Sequence, residues 1–109
     1  MLVSNYKAND VVSLKLVTGE EVLGYYVSSD NETITLRKPV VPVQTGQNQM
    51  GLAPFLMSSD YMQSGKELQF SRTAIITDTS TSKAFADAYT QQVSGLDLRT
   101  PSKPGLITG

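Results

Sequence analysis

The chain has 109 residues, 39% of them hydrophobic and 17% charged, and its nine Lys plus Arg against ten Asp plus Glu give a net charge of -1. It contains neither Cys nor His, which excludes disulfides, thiolate zinc sites, Ser–His or Cys–His nucleophile pairs and an imidazole base. The length suits one small domain whose core leaves stability marginal, so self-association is the remaining route to more buried area.

The elements follow in order. Met1 to Asp10 has no basic stretch leading into an apolar one, so no secretory signal is expected, and a cytoplasmic location follows. No run is apolar and long enough to span a membrane. From Val11 the text alternates: Val12, Leu14 and Leu16 face one way and Ser13 and Lys15 the other, as in a half-buried strand. Thr18–Gly19 makes a turn. Glu20 to Ser28 is a second strand, with Gly24 marking a bend or close backbone approach. Ser29-Asp30-Asn31-Glu32 turns the chain into a third strand, Thr33 to Lys38, which Pro39 and Pro42 limit to an edge or a bent continuation over Val40–Val43.

Residues 44–66 read as an inserted long hairpin or loop. Its apolar run, Met50 to Met57, is either a strand with long ends or an exposed Met/Phe patch for a partner. Glu67 to Asp78 reads as a fifth strand with Arg72 in its middle. Residues 80–95 read as a helix with Ser82 as N-cap, a stripe of Phe85, Ala88, Tyr89, Gln92 and Val93 whose Phe85/Ala88/Tyr89 face is expected to pack, and Gly95 as the terminating C′ residue. The domain therefore spans 1–96, and 97–109 is expected to be a loose tail.

The series Leu16-Val17-Thr18-Gly19, Gly24, Asp30 and Ile34-Thr35-Leu36 resembles the first half of the Sm-like fold, with the Gly, Gly and Asp spacing of its bacterial branch. Ser71-Arg72-Thr73-Ala74-Ile75-Ile76 is similar to the second motif, with Thr73 where the family has Gly. The resemblance covers Val11–Lys38 and Leu68–Thr77. It implies a mainly β fold: a small, strongly bent five-stranded barrel of the SH3 type, carrying here a C-terminal helix where the family's helix comes first. It also implies a homo-oligomeric ring that binds single-stranded RNA, one base held between the second-to-third-strand turn and the fourth-to-fifth-strand turn.

Carried over, the contacts fall on Asp30, Asn31 and Thr33 in the first turn and on Arg72 and Thr73 in the second. The family's Asn lines up with Thr33 or Ile34, and Glu32 stands where an aromatic would stack. Two functions are open: weak RNA binding multiplied around a ring, or a ring-forming assembly module that has lost RNA. The acidic pI near 5.2 and Glu32 favour the second. Asp30 is better read as capping its own turn, and Arg72 equally suits an ion pair, with a neighbouring subunit or with Asp30 itself. No enzyme activity, cofactor or metal is expected, because the carboxylates show no paired or ligand-like spacing.

Overall fold

The computed structural model describes residues 6–98, with side chains through Ser94. Six strands and two helices follow one another: β1 (Val11–Leu16), β2 (Glu21–Ser29), β3 (Thr33–Gly46), β4 (Gln49–Pro54), α1 (Tyr61–Ser64), β5 (Glu67–Ser71), a 3-10 turn (Arg72–Ala74), β6 (Ile75–Ser80) and α2 (Lys83–Leu98). All pairings are antiparallel. The strand order is β4-β3-β2-β1-β6, with β5 also paired to β3. The sheet is not closed into a barrel: among the described residues no backbone ladder joins β6 to β4 or β5. No described helix is long and apolar enough to cross a membrane.

The long strand β3 organises the sheet. Its first half, Thr33 to Arg37, has β2 on one side and β5 on the other, while its second half, Val40 to Gly46, pairs with β4. The break falls at Lys38–Pro39. Pro39 has no N–H for a ladder, and Lys38 takes φ of 53°, a left-handed conformation uncommon for a side chain of this kind. Opposite the break, Gly24 lets the two strands close. A Cβ there would lie 3.1 Å from Leu36 Cβ and 3.2 Å from Pro39 Cα. Gly19, with φ of 100°, provides the left-handed residue of the β1–β2 turn.

Three carbonyls line the bend, those of Arg37, Lys38 and Pro39; Phe55 N reaches the last only at 3.4 Å, and buried carbonyls require donors. Two helices supply them. Tyr89 of α2 donates its hydroxyl to Lys38 O at 2.7 Å and shares it with Arg37 O at 3.2 Å. Tyr61 of α1 donates to Pro39 O and accepts from Phe55 N. Lys38 is buried, and its Nζ donates to Met62 O at 2.7 Å, closing the exit of α1. Burial pushes the hydroxyls of both tyrosines above the usual phenol range.

Two apolar clusters flank the sheet. One gathers Val12, Leu14, Leu16, Val22, Tyr26, Ile34, Leu36 and Phe70. The other joins Leu23 and Val40 to Tyr61, Met62, Tyr89 and Val93 from the helices. Adjacent Tyr26 and Tyr25 thus serve opposite faces, Tyr26 in the first cluster and Tyr25 edge-on to Tyr89 at 5.0 Å.

Several sequence expectations need correction. There are six strands rather than five, because Glu67–Asp78 is interrupted by the Arg72–Ala74 turn. The segment 44–66 carries the end of the β3–β4 hairpin, β4 and α1. Ser82 does cap α2, its Oγ accepting from Phe85 N at 3.4 Å, but the helix runs through Gly95 to Leu98. The tail expected from 97 therefore overlaps α2, and 99–109 lie outside the described residues. Of the expected stripe only part packs: Tyr89 and Val93 are buried, whereas Ala88 and Gln92 are exposed and Phe85 remains 42% exposed. Phe85 lines a pocket together with Ser13, Thr79 and Leu23, whereas Tyr89 and Val93, further along the helix, cluster with Leu23 and Val40.

Candidate nucleic-acid interface

Asp30 and Arg72 meet, although 42 residues separate them. The path to this contact runs through β3 and β5. Their ladder ends on the pair Thr33 and Ser71, so the β2–β3 turn and the 3-10 turn emerge side by side. Arg72 N donates to Glu32 O at 2.8 Å, and Arg72 Nε donates to the backbone oxygen of Asp30 at 3.1 Å. One turn is therefore docked on the other by main-chain groups as well as by the guanidinium.

Within the first turn, Asp30 acts as its own cap. One carboxylate oxygen accepts from Glu32 N and Thr33 N, each at 2.8 Å, and from Thr33 Oγ1 at 3.4 Å. The Thr33 and Glu32 N–H groups hold the carboxyl below the usual carboxylate range, with a smaller pull from Arg72. Asn31 and Glu32 are exposed at the tip. In the second turn Ser71 Oγ accepts from Thr73 N at 3.3 Å and lies 2.8 Å from Thr73 Oγ1. The Arg72 side chain keeps 21% exposure, and its NH1 stands 3.9 Å from Asp78, a loose ion pair.

The structure thus brings Asp30, Thr33, Arg72 and Thr73 to one rim, with Asn31 at its outer edge. Thr33 supports the Asp30 cap and Thr73 the 3-10 turn, so both already have local partners. Sequence reasoning did not find Tyr6 and Asp78. The Tyr6 hydroxyl donates to Asp78 Oδ2 at 2.6 Å, its ring lies 5.4 Å from that of Tyr26, and it packs against the first cluster. Burial, then this bond to Asp78, push the phenol well above its usual range, so Tyr6 remains a donor that fixes Asp78 beside Arg72. No local pattern announces a partner 72 residues away.

Chemically, this rim offers one partly exposed guanidinium, short hydroxyls and two nearby carboxylates, Asp30 and Asp78, with Glu32 exposed at the turn tip. A planar guanidinium can stack on a base and donate to its edge. Among the described residues no group of three or more acidic side chains could hold a metal ion.

No family model matches this chain, and no curated protein matches it.

Proposed function

We propose that this chain is an Sm-like, ring-forming protein that binds single-stranded RNA weakly at the Asp30–Arg72 rim. The observation that carries the reading is the seating of the Arg72 turn on the Asp30 turn. Two motifs far apart in sequence converge where the resemblance implies that a base is held. The bent β3, shared by β2, β4 and β5, fits an Sm-type barrel drawn open at one seam.

The sheet edges support the ring. Strands β4 and β6 lie at its two ends, each with one pairing partner among the described residues. Unpaired strand edges are templates for another chain. Ile76 on β6 is 62% exposed and Met57, just after β4, is 79% exposed, so apolar surface accompanies both edges. Head-to-tail pairing of one edge with the other repeats a heterologous contact, and a ring forms when the rotation closes.

A second reading has its own support. Asp78 stands beside Arg72 and the Asp30 carboxyl feels its charge, and carboxylates so close to a guanidinium oppose a phosphate. In that reading the ring is an assembly module without RNA. Titration of wild type and Arg72→Ala with short single-stranded RNA at low salt separates the two. Binding that falls about 5- to 100-fold with Arg72→Ala supports the RNA reading. No binding by wild type, with light scattering still reporting an oligomer, supports the assembly module. A stable monomer at micromolar concentration refutes the ring.

A further inference from the structure

The outer edge of β4 is already partly occupied. Antiparallel ladders bond at alternate rungs, and the prolines of this one show which. Pro42 stands opposite Leu52 and Pro54 opposite Val40, and proline has no N–H to give to a bonded rung. The step just beyond the strand agrees, since Phe55 N donates to Pro39 O. The rungs Val41–Ala53 and Val43–Gly51 therefore carry the bonds, and Leu52 turns its own N–H and C=O away from β3. Met50 and Pro54, two residues to either side, turn outward with it.

A strand joining this edge has to bond with those outward groups. One of them is taken: Gln92 of α2 donates from Nε2 to Leu52 O at 3.0 Å. Another is missing, because Pro54 presents a carbonyl and no N–H. Gln92 is exposed, whereas Tyr89 and Val93 on the same helix are buried in the second cluster, against which Leu52 also packs. The amide thus reaches the strand edge from a helix that other residues hold in place. A hydrogen bond in contact with water contributes little net free energy, so a backbone N–H from another chain can replace it.

We infer that Gln92 guards the β4 edge, holding Leu52 O in the lone subunit and yielding it when a second copy of the chain pairs there. The guard makes α2 a brake on self-assembly. It rests on the ring reading of the sheet edges, and the experiment separates the two. Wild type and Gln92→Ala are compared by sedimentation velocity over a dilution series, with amide hydrogen exchange followed at Met50 and Leu52. Gln91→Ala is the control, an exposed neighbour on the same turn that carries the same change in helix propensity. Gln92→Ala assembles at about two- to tenfold lower concentration than wild type, the effect of one exposed hydrogen bond per interface. Gln91→Ala assembles at the wild-type concentration. On assembly the Met50 and Leu52 amides exchange more slowly in all three.

If wild type assembles and Gln92→Ala does so at the same or a higher concentration, the guard is refuted and the ring stands. If neither assembles, both fall. Tighter assembly without slower exchange at Met50 and Leu52 would place the contact on another edge and overturn the inference. A loss of helical circular dichroism in dilute Gln92→Ala, absent from Gln91→Ala, would show that the bond holds α2 itself, with the same consequence.

Discussion

Replacing Tyr89 by Phe tests the account of the β3 bend directly. The ring stays, and with it the edge contact to Tyr25 and the burial in the second cluster. Only the hydroxyl is lost. Its donation to Lys38 O at 2.7 Å and Arg37 O at 3.2 Å disappears, leaving carbonyls at a buried kink without their donor. An unsatisfied buried acceptor costs about 1–3 kcal/mol, and removing the hydroxyl's own burial offsets part of it, so about 1–2 kcal/mol remains. For a domain of this size that is a fall of roughly 5–15 °C in melting midpoint. Phe85→Ala is the control, four residues earlier on the same helix. Its partly exposed ring leaves little packing to lose, so the cost stays under about 1 kcal/mol. Thermal unfolding followed by circular dichroism, at matched protein concentration because association shifts the midpoint, reads both. An unchanged midpoint for Tyr89→Phe, or a larger loss for Phe85→Ala, would refute the claim that Tyr89 satisfies the bend.

Two further outcomes follow from the geometry. Gly24→Ala forces a Cβ to 3.1 Å from Leu36 and 3.2 Å from the Pro39 backbone, and should cost about 1–3 kcal/mol by denaturant titration; a stabilised variant would contradict the close approach. Asp30 has a folded-state pKa below its unfolded value, so its contribution is present above the unfolded pKa and is lost as pH falls through the folded one. Stability should therefore decline below about pH 4, and Asp30→Asn, which keeps an acceptor oxygen, should reduce that decline while leaving neutral-pH stability near wild type.

Much of this protein was legible in short windows of its text. The alternation of Val12, Leu14 and Leu16 placed β1, the Gly19 turn needed a left-handed residue, Asp30 had the chemistry of a self-capping turn, and Ser82 stood at the start of a helix. Each is a local matter, decided by the period of side-chain direction or by a side chain bonding its own backbone a few residues away. The pairing of the Asp30 and Arg72 turns was reached through a family resemblance, since nothing local links residues so far apart. Tertiary structure alone decided the rest. Arg72 sits in a 3-10 turn because β5 must stop at its pairing with β3 and β6 must start against β1. Helical spacing identified the stripe of α2, whose Tyr89 and Val93 are buried, but not how far along the helix the packing extends, so Phe85 was taken as core and is half-exposed. Lys38 is buried because β3 bends between two sets of neighbours and α1 covers the bend. Burial and hydrogen-bond satisfaction there depend on strands and helices brought together from distant parts of the chain, which no window of the sequence contains.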